Sequence, residues 1–164
     1  MTEALPIALK TGGWIVTELY RLLTVTKLRR DQLEEAREMA ARARSSQPEE
    51  DVYATAAVAL SEGVMAAADG DRDVVLARFR KALVLLEEQR LQVDLGEARI
   101  AFARALRDLG QIQGALSEFN RAREVFARME AVGIVAEIDR DLAGLAKGSG
   151  PSDPFAHLTH TPIR

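Results

Sequence analysis

Cysteine is absent from this sequence, and aromatic residues make up only 5% of its 164 residues. The lack of cysteine excludes disulfides, thiolate metal sites and cysteine nucleophiles. The scarcity of aromatic and β-branched residues disfavours strands, because those side chains best fit a pleated, half-buried surface. Alanine and arginine are abundant instead, and both are strong helix formers. The composition therefore predicts an all-α protein.

Long apolar runs are also missing. No stretch approaches the roughly 20 apolar residues that a membrane-spanning helix needs. Near the N-terminus, Glu3 precedes the apolar stretch and Lys10, Gly12 and Gly13 interrupt it, so this segment does not resemble a signal peptide. The formal net charge is -3, which gives no global attraction to nucleic acids or anionic membranes. We expect a cytoplasmic protein that is not bound to a membrane.

Small and aromatic residues recur at a spacing of forty residues. Gly63, Gly70, Leu76, Phe79 and Ala82 in the first copy correspond to Ala103, Gly110, Leu116, Phe119 and Ala122 in the second. A period of this length is typical of stacked helix pairs. One pair cannot bury its apolar faces alone, so neighbouring pairs must share a core.

The repeat divides the chain into consecutive segments. We predict a loose lead-in over 1–13, a degenerate pair or cap over 14–45, repeats over 46–91 and 92–132, a capping helix over 134–147 after a break at Gly133, and a disordered tail over 148–164. Residues 14–147 then form a single helical domain. An up-and-down helical bundle is the alternative architecture, because it also packs antiparallel helices through short turns.

Three polar clusters predict where helices begin. The stretch from Ser46 to Glu49 and the stretch from Asp94 to Glu97 have the spacing of a capping box, in which two side chains satisfy free backbone N–H groups reciprocally. Asp71 follows the turn at Gly70 and is a candidate N-cap.

The repeated residues resemble tetratricopeptide repeats of the longer, forty-residue variety found in bacterial transcription activators of the MalT and LuxR type. The matching features lie within residues 52–145: the small residues Gly63 and Ala103, the turns at Gly70 and Gly110, the phenylalanines Phe79 and Phe119, and the alanines Ala82, Ala115 and Ala122. Ala59 and Arg99 stand where the family has an aromatic residue. The resemblance implies antiparallel helix pairs stacked as a short right-handed superhelix, and a surface for proteins or peptides.

In that family the first helix of each pair lines the concave face. The resemblance therefore implies a partner-binding face made of Leu60, Val64, Glu97, Ile100, Arg104, Arg107 and Arg140. The three arginines could clamp a carboxylate, which would favour an acidic partner. Alternatively, they are solvated arginines neutralised by Asp108, Glu97 and Glu137, and the three apolar residues simply pack against adjacent helices.

Sites for metals and cofactors are not predicted. The segment from Asp69 to Asp73 resembles the start of a calcium loop, but Val74 and Arg80 occupy positions that need glycine and glutamate. His157 and His160 lie in the predicted tail without a third ligand. Arginines on second helices are interleaved with glutamates, so nucleic-acid binding is not favoured. We expect no cofactor and no catalytic activity.

These observations lead to one main functional hypothesis. We expect a non-catalytic protein–protein interaction module of a bacterial regulatory or signalling system, which binds a protein or peptide in the concave groove. The alternatives are a self-associating structural domain, suggested by Trp14, Tyr20 and the degenerate first pair, and a small-molecule effector-sensing domain of a transcriptional regulator.

Overall fold

The computed structural model describes residues 13–148, and within them all regular structure is helical. Of the predicted tail over 148–164, Gly148 is the last residue of the final helix, and residues 149–164, with His157 and His160, lie outside the described residues. Residues 1–12 of the predicted lead-in over 1–13 lie outside them as well. The seven helices of the described part are α1 (Trp14–Leu28), α2 (Leu33–Ser45), α3 (Val52–Ala68), α4 (Arg72–Glu88), α5 (Gln92–Asp108), α6 (Ile112–Arg128) and α7 (Val132–Gly148). The prediction of an all-α protein is confirmed.

The helices from α3 onwards follow a strict period. Each of these five has 17 residues, and they begin at positions 52, 72, 92, 112 and 132, so one helix starts every twenty residues. Two helices and two turns therefore account for the forty-residue repeat. The helices α1 and α2 are shorter, with 15 and 13 residues, and do not share this register.

The turns between helices use a residue in the left-handed backbone conformation. Gly70 and Gly110 occupy it with φ of 75° and 72°, but Arg90 and Glu130 occupy the equivalent positions with φ of 57° and 56°. After the left-handed residue, the next N–H bonds back to a carbonyl five residues earlier, as from Ala131 to Phe126 at 3.0 Å. This pattern ends a helix and satisfies its last carbonyl groups.

The predicted helix starts are partly wrong. The break at Gly133 is not observed, because the left-handed turn falls on Glu130 and α7 already begins at Val132. Ser46 is the C-cap of α2 and does not start α3, which is capped by Asp51 through the Ala54 N–H at 2.9 Å.

The other two predicted caps have opposite outcomes. The helix α5 begins at Gln92, so Asp94 lies inside it and caps nothing. Asp71 caps α4 as predicted, because its carboxylate accepts the Val74 N–H at 3.1 Å. A short polar side chain can cap a helix by accepting its free N–H groups only if it lies directly before the first turn.

Helices pack as sequential neighbours and also across pairs. The pairs α1–α2, α3–α4 and α5–α6 make the most extensive contacts, and α7 packs against α6. In addition, α3 contacts both α1 and α5. The first helices of the three pairs therefore lie side by side, and this arrangement brings residues far apart in sequence onto one surface.

The main core runs through α3 to α7 and contains Phe79, Phe102, Phe119, Phe126 and Ile138. A smaller cluster joins the first pair to α3, with Val16, Tyr20, Ala43 and Val58 as its buried members. Tyr20 is therefore a core residue, which removes it as a reason to expect self-association.

Gly63 allows α3 and α4 to approach closely. A β-carbon at this position would lie 2.8 Å from both Cδ2 and Cε2 of the Phe79 ring. The ring cannot easily move away, because it is fully buried and stacks on Phe102 with ring centroids 4.9 Å apart. In the next pair Ala103 and Phe119 occupy the equivalent positions of the forty-residue repeat, and both are fully buried.

We predict that Gly63→Ala lowers the free energy of unfolding by about 1–3 kcal/mol, because overpacking against the fixed ring outweighs the gain in helix propensity. The matched control is Gly144→Ala in α7, where a new β-carbon would meet nothing within 4 Å. There the substitution should stabilise the protein by about 0.5–1 kcal/mol. Urea titrations of both variants measure the difference, and equal effects in the two would contradict this account of the packing.

Candidate functional site

Polar side chains from three successive first helices meet around a small cavity. Glu18 and Arg21 come from α1, Tyr53 from α3, and Asp94 and Glu97 from α5. We call this the first-helix cavity; its apolar wall includes Leu60, Ala98 and Ala101. Its volume is about 30 Å³, enough for a water molecule or two and far below the roughly 300–1,000 Å³ of small-molecule sites.

Hydrogen bonds link the polar groups of the first-helix cavity across helices. The Tyr53 hydroxyl donates to Oδ1 of Asp94 at 3.0 Å, which ties α3 to α5. The ring of Trp14 meets that of Tyr53 edge-on, with centroids 4.9 Å apart and planes inclined by 71°. Within α1, Arg21 donates to both carboxylate oxygens of Glu18, at 2.8 and 2.5 Å.

The charges around the first-helix cavity are unbalanced, because three carboxylates face one guanidinium group. Glu97 is exposed overall, but part of it lines the cavity. This partial desolvation, together with the negative charges of Asp94 and Glu18, raises the pKa of its carboxyl, and Arg21 opposes the shift. Desolvation and the same carboxylates also raise the pKa of Tyr53, so it stays a neutral hydrogen-bond donor.

The predicted arginine pair is present on α5, but α7 neutralises it. Arg104 donates to Asp141 at 2.8 Å and to Glu137 at 2.6 Å. Arg107 bonds Asp108 at 2.9 Å and lies 3.4 Å from Asp141. These two arginines therefore hold α7 against α5, and their carboxylate partners come from the chain itself.

Arg140 does not join the other two arginines. It is exposed, and its Nε donates to the Ala136 carbonyl of its own helix at 3.3 Å. A clamp of all three guanidinium groups on one carboxylate is therefore not observed.

The three apolar residues of the predicted face differ in how deeply they are buried. Leu60 is buried in the main core, and Val64 and Ile100 are partly buried against it. Packing between helices accounts for Leu60, while Val64 and Ile100 keep part of their surface accessible. Among the predicted residues, Glu97 brings a carboxylate to the first-helix cavity, and this carboxylate forms no ion pair within the described residues.

Four residues of the first-helix cavity were not predicted from the sequence: Glu18, Arg21, Tyr53 and Asp94. Glu18 and Arg21 could not be placed from the sequence, because the first pair does not share the register of the repeats. The sequence pattern at Asp94 predicts a helix cap and therefore gives no indication of a cavity. Tyr53 and Asp94 do carry a usable signal, because they occupy the second position of α3 and the third position of α5. Since neighbouring first helices share a register, residues at the start of each should lie close together.

Other classes of site find no support in the part of the chain that the structure describes. No group of three histidine, aspartate or glutamate side chains in residues 13–148 is placed to hold a metal ion. None of the described helices combines the length and hydrophobicity that crossing a membrane requires. The chain matches no protein-family model, no curated protein and no solved structure.

We predict that Glu97→Gln stabilises the protein at neutral pH and not in acid. Because the pKa of Glu97 is higher in the folded than in the unfolded state, its ionised form costs stability above the folded pKa. Below the unfolded value of about 4.3 the side chain is protonated in both states and the penalty disappears. Midpoints of thermal unfolding at neutral and acidic pH measure this, with Glu88→Gln, at an exposed position outside the cavity, as the control. A less stable Glu97→Gln protein at neutral pH would contradict the prediction.

Proposed function

We propose that this chain is a helical-repeat protein of the tetratricopeptide type whose first helices bind a protein partner. Two observations support the repeat architecture: the start of a helix every twenty residues from α3 onwards, and the contacts of α3 with both α1 and α5. In repeats of that type each unit contacts only its neighbours, and the stacked first helices form an extended binding surface. The link to bacterial regulation or signalling rests on the family resemblance.

The observation that carries the proposal is the meeting of polar side chains at the first-helix cavity. Glu18 and Arg21 are each only 17% exposed, and Tyr53 holds Asp94 across a helix boundary. Nothing in core packing calls for this concentration of charge between α1, α3 and α5. A binding surface does, because preplaced polar groups give a partner its orientation and specificity.

The charges favour a basic group on the partner. The expectation of an acidic partner requires three arginines without ion pairs. Two of them are paired instead: Arg104 with Asp141 and Glu137, and Arg107 with Asp108. At the first-helix cavity the excess charge is negative instead. A lysine or arginine side chain placed beside Glu97 would relieve the repulsion among the carboxylates there.

We predict that Glu97→Lys lowers the recovery of the partner by about tenfold or more, because a close charge pair contributes about 1.5 kcal/mol or more to binding, which is at least about tenfold in affinity, and a like charge repels. The measurement is cross-linked affinity capture from lysate, quantified by mass spectrometry. Glu88→Lys makes the same charge change at an exposed position on α4, outside the cavity, and should recover the partner normally. Equal recovery by both variants would remove the first-helix surface as the site, and no recovery by the wild-type protein would remove partner binding.

Self-association is a second candidate, favoured by exposed apolar side chains on α1. Trp14, Ile15 and Leu22 are exposed there, and Leu33 at the start of α2 is exposed as well. Ile15 and Leu22 are seven residues apart and therefore lie on one helix face. A helix face with apolar residues open to water is typical of protein contacts.

If the chain self-associates through this face, Leu22→Glu should convert dimers into monomers, because a carboxylate cannot be buried there without a partner. Light scattering over a range of concentrations measures the mass. Val93→Glu, at an equally exposed position on α5, is the control and should leave the mass unchanged. A monomeric wild-type protein at all concentrations would exclude self-association.

A further inference from the structure

An open groove lies between α4 and α6, which are the second helices of their pairs. Its floor is α5, which packs against both helices, and its volume is about 590 Å³. We call it the α4–α6 groove. Its apolar lining consists of Leu76, Leu83, Val84, Phe102 and Leu106. Val84 is 54% exposed, so the groove presents apolar surface to solvent.

Basic side chains surround this apolar lining. Arg72, Arg80, Arg99 and Arg121 face two glutamates, Glu87 and Glu118, which leaves an excess of two positive charges. The arginines differ in their pairing, because one buried glutamate forms ion pairs with two of them.

Glu118 is that buried glutamate. It is only 8% exposed and accepts hydrogen bonds from Arg99 at 2.7 Å and from Arg121 at 3.1 Å. Arg72 and Arg80 are exposed and form no ion pair within the described residues. They are therefore available to carboxylates from outside the chain.

The equivalent groove one repeat earlier has a different charge pattern. It lies between α2 and α4 over α3, with a volume of about 570 Å³. All three of its arginines are paired: Arg37 with Asp69, and Arg44 and Arg78 both with Glu62. The two grooves share architecture and size, so the open guanidinium groups of the α4–α6 groove do not result from groove geometry.

We propose that the α4–α6 groove is a second docking surface, which binds a segment of another protein that carries bulky apolar side chains flanked by aspartate or glutamate. The apolar lining would bury the bulky side chains, and Arg72 and Arg80 would pair with the carboxylates. This surface belongs to the second helices, so it is separate from the first-helix cavity and its partner.

The lining favours a protein segment over a nucleic acid. Single strands bind to exposed aromatic rings on which bases stack. The one aromatic residue of the groove, Phe102, is 5% exposed and already stacks on Phe79. Aliphatic side chains beside arginines instead suit an amphipathic peptide that places its apolar face in a groove.

The test selects peptides on the full chain from a phage-displayed library of random dodecapeptides. We expect enrichment of peptides with at least two bulky apolar residues and two carboxylates. Binding of the enriched peptides should weaken by about tenfold or more in Arg72→Glu/Arg80→Glu, since two charge pairs are replaced by repulsion. Arg30→Glu/Arg128→Glu makes the same charge change at exposed positions outside the groove and should bind as the wild type does.

A second pair of variants tests the apolar part of the groove. Val84→Asp places a charge on the exposed apolar wall and should also weaken binding, while Val93→Asp, at a residue 50% exposed outside the groove, should not. Circular dichroism checks that each variant is folded.

Three results would overturn the proposal. The first is a selection without acidic bias or without any enrichment. The second is equal binding of the enriched peptides to the wild type and to Arg72→Glu/Arg80→Glu. The third is tighter binding of a random-sequence single-stranded oligonucleotide than of the peptides, with loss in the same variant. None of these results bears on Glu97, so failure here leaves the first-helix proposal standing.

Discussion

The close approach of Gly63 to the Phe79 ring sets the geometry on which the rest of the fold depends. It fixes the separation of α3 and α4, and the same ring stacks on Phe102 of α5. One aromatic side chain therefore determines both the packing within a pair and the packing between pairs. Because interiors are close-packed, a change in this contact would be transmitted to the neighbouring helices. The floor and one wall of the α4–α6 groove belong to α5 and α4, the two helices that this ring joins.

The periodic part of the fold could be predicted because its positions have strict physical requirements. A small residue must face a ring, and a left-handed turn favours glycine, so Gly70 and Gly110 mark two turns in the sequence. The other two turns use Arg90 and Glu130, which carry no such signal. Glu130 can adopt this conformation because its neighbours' hydrogen bonds hold the turn, although the conformation costs about 1–2 kcal/mol for a non-glycine residue. The glycine at position 133 therefore predicts a helix break that the structure has at Glu130 instead.

The site was harder to predict than the fold. The register of the repeat indicates which face of a helix a residue occupies, but it does not indicate which residue it contacts. Arg104 and Arg107 were predicted on the correct helix, but their pairing with Asp141 depends on where α7 packs. Conversely, Tyr53 and Asp94 are 41 residues apart and meet only because α3 and α5 lie side by side. Contacts of this kind follow from the packing of neighbouring pairs, so they can be predicted only by comparing the registers of two helices and not from the segment around either residue.

The two grooves between second helices differ in their charged residues although they have nearly the same size. Arg78 in one repeat corresponds to Glu118 in the next, and Glu62 corresponds to Phe102, while the helices keep their spacing. At the position of Glu62 the later groove has Phe102, which adds an apolar side chain to its floor. The carboxylate that pairs with Arg44 and Arg78 in the earlier groove is therefore missing there. In the α4–α6 groove the buried glutamate, Glu118, pairs with Arg99 and Arg121, and Arg72 and Arg80 form no ion pair within the described residues. Core positions preserve the shape of each groove, and a few lining positions decide whether its arginines form ion pairs within the described residues.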